Sequence, residues 1–298
     1  MALTLALMLP MTPPRSLDYS AVTHPGLERD NNEDSLLSLP HAGIWLVADG
    51  MGGHEAGEVA SAIVRDTVKK LADRNGNQNL GDMLQAAHQA VLRGVTQGLG
   101  APGMGSTAVA LHSQGRDYEV AWVGDSRAYL WTPNDEGGQL QQLTRDHSYV
   151  QLLLESGAIT SEEMDRHPER NIITQCLGSA ELLQVQVDRV QGQWQKNQWI
   201  LLCSDGLSDE VDDKTIARIL HESANCNTAA DQLLHAALTQ GGHDNISLQI
   251  IESPLRQRSP LGLFWRWVPY LTGNRRWDAW IYGMTLVSLL ALLYSIIS

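Results

Sequence analysis

Val59, Ile63, Thr67 and Leu71 stand four residues apart within Glu55–Leu71, and Leu84, Ala87, Val91 and Val95 recur at helical spacing within Leu80–Leu99. Each pattern puts an apolar stripe on one side of a helix, which is expected to lie on a sheet. Around them are short apolar runs of strand type: Asp34–Leu39, Gly43–Ala48, Tyr118–Gly124, Gln198–Ser204 and Ile246–Ile251. Strand-like and helical patterns alternate from Leu17 to Ile251 with no internal repeat or low-complexity block, which argues for one domain.

The strand-like runs share a feature at their ends. Gly43–Ala48 leads into Asp49, Tyr118–Gly124 into Asp125, and Gln198–Ser204 into Asp205. Asp34 instead opens its run, and Asp244 comes just before Ile246. In an antiparallel sheet, strand starts and strand ends share an edge. Glu33, Asp34, Asp49, Asp125, Asp205 and Asp244 are therefore expected to converge on one rim. Such a cluster repels itself, so either its pKa values rise or divalent cations neutralise it.

Carboxylates, backbone carbonyls and water suit Mg²⁺ or Mn²⁺ rather than zinc, and the ten histidines form no H-x-x-x-H pair. Glycines flank the acids in D-G-M-G-G-H (Asp49 to His54) and S-D-G (Ser204 to Gly206), so the backbone carbonyl can approach an ion with no Cβ in the way. Two such ions would generate hydroxide from water near neutral pH and clamp phosphoryl oxygens during in-line attack. Arg29, five residues before Asp34, is the natural bidentate partner for a substrate phosphate. Competing chemistries lack their residues. No cysteine is followed six positions later by arginine, and neither a G-x-x-x-x-G-K-[ST] loop nor a G-x-S-x-G elbow is present.

The runs R-D-N-N-E-D (Arg29 to Asp34), V-A-D-G-M-G-G-H, G-S-T-A (Gly105 to Ala108), V-G-D-S-R (Val123 to Arg127), S-D-G-L-S-D and G-H-D-N-I-S stand in the order of the type 2C serine/threonine protein phosphatases, which the chain resembles from about Tyr19 to Ile251. The resemblance implies an α+β fold, an α-β-β-α sandwich of two antiparallel sheets flanked by helices. It implies phosphoserine and phosphothreonine hydrolysis by a metal-activated hydroxide attacking phosphorus directly, with no phosphoenzyme. By the same similarity Asp49 bridges two core ions and the Gly50 carbonyl binds the second. Asp205 and Asp244 complete the ligands of the first ion, Glu33 and Asp34 act on the second ion partly through water, and Asp125 with Asp205 holds a weaker third ion. Arg29 holds the phosphate.

The chain departs from the animal members of that family at Met51, where those carry a histidine proposed as the leaving-group acid. The general acid is thus unassigned, and His54 is the candidate, weighed against a structural role. Asp146–Leu177 resembles the mobile flap of bacterial members, where substrate choice is expected to reside. The implied partners are phosphoproteins, among them a serine/threonine kinase or its targets. Two rival classes are a pseudophosphatase scaffold that binds phosphoprotein without turnover and a phosphoesterase for small molecules.

Charge and the termini complete the picture. The net charge of −13 excludes a nucleic-acid binder. It is unevenly spread: Arg256, Arg258, Arg266, Arg275 and Arg276 follow Leu255 with Asp278 as the lone acid, leaving 16 basic against 33 acidic residues before them. Ile281–Ser298 has no charged residue, and as a helix it would span roughly 27 Å, just short of a bilayer core of ~30 Å. Trp265, Trp267, Trp277, Trp280 and Tyr282 supply interfacial aromatics, and the arginines place the domain in the cytoplasm, on a bacterial inner membrane. Cys176, Cys203 and Cys226 form no disulfide pattern, in keeping with a reducing compartment. The expected organisation is a disordered leader over 1–16, with Met8 or Met11 as the true start, a phosphatase domain over 17–252, a basic, Trp-rich linker over 253–280 and a transmembrane anchor over 281–298.

Overall fold

The computed structural model describes residues 17–53, 56–74, 79–134, 137–164, 166–255, 280 and 282–285. In chain order the elements begin with β1 (Tyr19–His24), β2 (Asp34–Leu39), β3 (Ile44–Met51), α1 (Ala56–Ala72) and α2 (Leu80–Thr96). There follow β4 (Gly105–Ser106), β5 (Ala108–Gln114), β6 (Asp117–Val123), β7 (Arg127–Thr132), β8 (Gln139–Gln142), α3 (Tyr149–Glu155) and α4 (Ser161–Met164). The last are β9 (Asp188–Gln193), β10 (Trp199–Cys203), α5 (Asp205–Ser208), α6 (Asp213–Glu222), α7 (Cys226–Gln240) and β11 (Ile246–Glu252).

One sheet runs β1-β11-β10-β7-β8 and the other β2-β3-β5-β6-β9, with β4 paired to β3, and every pairing is antiparallel. Between the sheets, Trp45, Val47, Val109, Leu111 and Trp122 meet Ala128, Ile200, Leu202 and Ile251. Helices α1 and α2 cover the outer face of the second sheet through Ala60, Val64, Leu84 and Val91, packed with Leu46 and Ala110. Helices α6 and α7 cover the first through Ile216, Leu220, Ala229 and Leu233, packed with Leu201 and Leu248. This four-layer arrangement is the α-β-β-α sandwich. It explains why β10, W-I-L-L-C, is buried at every residue: both its faces are covered.

Local chemistry fixes the helix starts. Asn79 caps α2 by accepting from the Asp82 N–H at 2.9 Å, Asp212 caps α6 from Thr215 at 2.7 Å, and Asn225 caps α7 from Thr228 at 3.0 Å. The two helical patterns read from the sequence correspond to α1 and α2.

Two expectations at the strand ends are corrected. Strand β3 does not stop at Asp49 but continues to Met51, because Gly50 and Met51 pair with Ser106 and Gly105 of β4. Strand β6 ends at Val123, two residues before Asp125, where Gly124 turns the chain at φ +105°.

The chain divides into a unit ending at Leu255 and a second from Arg256 to Ser298. Among the described residues no helix is long and apolar enough to cross a membrane. The predicted leader, His54 and nearly all of the predicted span 281–298 lie outside those residues.

Candidate active site and metal centre

Both sheets contribute to one rim. Asp34 and Asp49 face each other in the β2–β3 register, Asp205 opens α5 beyond the end of β10, and Asp244 precedes β11. Ser204 joins the two sheets: its hydroxyl donates to Asp34 Oδ2 at 3.0 Å and accepts from the Ser247 N–H at 3.0 Å. The Asp49 N–H donates to Thr107 Oγ1 at 3.2 Å, its carbonyl accepts from the Thr107 N–H at 2.8 Å, and the Thr107 and Ser126 hydroxyls bond at 2.7 Å.

The carboxyls stand in an unfavourable field. Burial first, then the Asp34, Asp205 and Asp125 charges, holds Asp49 well above the ordinary carboxylate range. Asp34 is pushed up to about 8 by burial and by Asp205 and Asp244. Burial, with Asp209 and Asp244, raises Asp205 to about 6, and burial with Asp205 and Asp146 raises Asp125. A hydrogen bond between Asp205 and Asp49 offsets part of this repulsion. Asp34 Oδ1 and Asp125 Oδ1 are buried and have no hydrogen-bond partner among the described residues.

Buried, mutually repelling carboxylates with orphaned oxygens are the donor set that hard divalent cations satisfy. Among the described residues no three His, Cys, Asp or Glu side chains are already gathered closely enough to hold an ion. The donors thus converge on a rim without forming a closed shell. Backbone geometry fits the same reading: a Cβ on Gly50 would overlap the carbonyls of Gly57 and Glu33, so only glycine lets β3 pass here.

The β1–β2 loop brings Arg29 and Glu33 to this rim. Asn245 clamps it, accepting from the Glu33 N–H at 2.7 Å and donating to the carbonyls of Pro25 and Asn31 at 2.9 Å each. Arg29 Nη2 donates to Asp244 Oδ2 at 2.8 Å. The Glu33 carboxyl is raised by burial, which the Arg29 charge and the Gly57 N–H oppose.

Beside Asp125 and Asp205 lies a cleft of about 670 Å³, walled by Val150, Leu154, Met164 and Arg170. These four belong to the segment expected to form the flap. Arg127 floors the cleft through a two-pronged pair with the buried Asp146, at 2.7 to 3.1 Å.

The structure thus brings Glu33, Asp34, Asp49, Gly50, Asp205, Asp244 and Arg29 together, with Asp125 at the cleft side. Sequence reasoning missed Asn245, Ser204 and Thr107. All three lie inside the recognised motifs: Ser204 and Asn245 stand directly beside Asp205 and Asp244, whereas Thr107 lies in G-S-T-A, next to no named acid in the chain.

The family model for protein phosphatase 2C matches residues 28–240. The serine/threonine protein phosphatase PstP of Mycobacterium tuberculosis is 36% identical over 243 residues, covering 79% of this chain and 45% of that protein. The chain therefore spans about half of that relative's length. The serine/threonine phosphatase stp of Listeria welshimeri is 34% identical over 247 residues, covering 79% of this chain and 96% of that one. The crystal structure of the PstP catalytic domain in complex with two manganese ions matches with a TM-score of 0.68 at 35% identity, covering 79% of this chain and 97% of that one. On these grounds the chain belongs to the protein phosphatase 2C family.

Proposed function

We propose that this protein removes phosphate from phosphoserine and phosphothreonine in proteins, by hydroxide attack on phosphorus without a phosphoenzyme. The observation that carries the reading is the rim of buried, partnerless carboxylate oxygens at Asp34 and Asp125, beside Asp49 and Asp205. Bound Mg²⁺ or Mn²⁺ would supply a hydroxide nucleophile near neutral pH and charge to balance the phosphoryl oxygens. Asp49 would bridge two ions, with Asp205 and Asp244 on the first and Glu33, Asp34 and the Gly50 carbonyl on the second. Asp125 with Asp205 would hold a third.

Arg29 orients the phosphate. It is half-exposed and, among the described residues, is bonded to the exposed-edge carboxylate of Asp244, so it can turn to a dianion without leaving a buried charge behind. Ser204 holds the Asp34 carboxylate and Thr107 holds the Asp49 backbone, so the rim is preorganised and need not rearrange during the reaction. Met51 offers no proton, and the leaving-group acid stays unassigned; His54 is the side chain to test.

The partners we propose are phosphoproteins, including a serine/threonine kinase or its targets. The five arginines and the charge-free stretch Ile281–Ser298 support attachment to a membrane with the phosphatase domain in the cytoplasm. Paired kcat/KM values with Mn²⁺ on a phosphothreonine peptide and on a small aryl phosphate test the activity. Turnover of both, with the peptide favoured, is expected. Turnover of monoesters alone would make it a small-molecule phosphoesterase, and turnover of neither a pseudophosphatase.

A further inference from the structure

The segment between Asp146 and Leu177 returns to its own start. Ser148 bridges Ile173, the Tyr149 N–H donates to the Ile172 carbonyl at 2.8 Å, and the Thr174 N–H donates to the His147 carbonyl at 2.7 Å. Between these paired ends lie α3 and α4, whose Val150, Leu154 and Met164 wall the cleft. Besides the Leu177–Ser106 backbone pair, two buried histidines that the metal and phosphate chemistry does not use tie this closed loop to the sandwich.

At the outgoing end, His147 takes both polar backbone groups of Gly124. Its N–H donates to the Gly124 carbonyl at 2.9 Å, and its Nδ1 accepts from the Gly124 N–H at 3.1 Å. Gly124 cannot be replaced: its φ is +105°, and a Cβ there would overlap the Thr107 side chain. Asp125 is the next residue, and Thr107 is the residue that bonds Asp49. The flap root is thus bonded to the backbone that carries the cleft-side carboxylate.

At the return end, Leu177 pairs with Ser106 at 2.8 and 2.9 Å, and the following residue is held from α2. The fully buried His88 accepts at Nδ1 from the Gly178 N–H at 3.0 Å, and its Nε2 lies 3.1 Å from the Leu182 carbonyl. Both rings use Nδ1 as an acceptor, so both are neutral with the proton on Nε2. Burial lowers the pKa of each, which keeps them so. The second nitrogens differ: that of His88 is bonded, while that of His147 is buried, 3.6 Å from Asp188 Oδ2 and beyond hydrogen bonding.

We propose that His147 and His88 are positioning residues that clasp the two ends of the flap, and that His147, through Gly124, sets the flap and Asp125 together. Loss of either acceptor leaves a buried glycine N–H without a partner, and the flap end lets go before the sheets do. The two ends have different consequences. Release at His147 disturbs both the cleft wall and Asp125, whereas release at His88 disturbs the wall alone.

The test is amide hydrogen exchange and steady-state kinetics on the full chain carrying His147→Ala, His147→Asn, His147→Gln or His88→Ala. Asparagine places Oδ1 where Nδ1 stood, and glutamine keeps a buried polar group but moves the acceptor away. Exchange across Ser148–Cys176 is expected to rise by about tenfold or more in His147→Ala and His147→Gln, with β10 and β11 still protected, and to return towards the parent rate in His147→Asn. On a phosphothreonine peptide, His147→Ala is expected to raise KM and lower kcat, and His88→Ala to raise KM alone. Unchanged flap exchange, acceleration spread evenly over all strands, or failure of asparagine to restore protection would overturn the clasp. The kinetic half rests on the phosphatase reading; if the parent turns over no phosphoester, that reading fails while the exchange result still decides the clasp.

Discussion

Arg29 Nη2 lies 2.8 Å from Asp244 Oδ2, so the side chain assigned to the substrate phosphate is bonded to one assigned to a metal ion. Both are well exposed, at 53% and 39%, and such a pair contributes only about 0 to 1 kcal/mol to the fold. Its meaning is positional, since it parks the guanidinium at the edge of the metal rim.

Arg29→Ala should therefore leave thermal stability almost unchanged while raising KM for a phosphopeptide roughly tenfold, with a smaller drop in kcat, because a phosphate clamp acts in ground and transition states alike. Saturation kinetics on one peptide decide it. An unchanged KM would remove Arg29 from the site.

Asn245→Ala should cost far more than its size suggests. The side chain satisfies the Glu33 N–H and the carbonyls of Pro25 and Asn31, all in one half-buried loop. Stranding them is expected to destabilise the protein by about 2 to 4 kcal/mol and to lower activity by loosening the loop that carries Arg29 and Glu33. Urea unfolding alongside kcat/KM measures both. A stability change below about 0.5 kcal/mol would show that the clamp does not hold the loop.

How the chain reads at sequence level depends on where each signal lies. The start of β2 at Asp34 and of β11 just after Asp244 was legible, since apolar runs with an acid at the boundary are local patterns. The continuation of β3 through Asp49 was not, because it depends on pairing with β4, more than fifty residues away in the chain. Strands β8 and β9 carry almost no apolar signature: each ends its sheet, so Gln139–Gln142 and Asp188–Gln193 remain largely wet. Asn245 carried no signal of its own beside Asp244, because its partners lie some two hundred residues upstream. His88 and His147 were indistinguishable from ordinary core histidines, because what sets them apart is a glycine N–H brought to each ring by the folded chain.

Stability should fall with pH in chelator and recover with cation. The Asp34 carboxyl is raised to about 8 and that of Asp205 to about 6, against about 4 in the unfolded chain. Between pH 4 and 8 the folded state thus binds more protons than the unfolded one, and raising pH destabilises it. Mg²⁺ or Mn²⁺ binds the ionised carboxylates and reverses the trend. Melting temperatures at several pH values in chelator and in Mn²⁺ test the sign, and a melting temperature in chelator that rises over this range would contradict it.

Removing Trp277–Ser298 should release a membrane-bound protein into the soluble fraction without changing its specific activity on a soluble phosphopeptide, because the carboxylate rim and its strands are complete by Glu252. Full-length protein that stays soluble without detergent would refute the anchor. A truncated protein that folds and lacks activity would place the tail in the active unit.

The most direct test of the metal-centred account is phosphate release from a phosphothreonine peptide by the parent, Asp49→Asn and Asp205→Asn, each with Mn²⁺ and with excess chelator. The parent should be active only with Mn²⁺, and each variant should lose about 10² to 10⁴ in kcat, the scale of a lost electrostatic or metal contribution. In chelator near pH 8 Asp49→Asn should be at least as stable as the parent, since it removes one of several repelling buried charges. Parent turnover that persists in chelator, or near-parent kcat in both variants, would contradict a reaction carried out at this carboxylate rim.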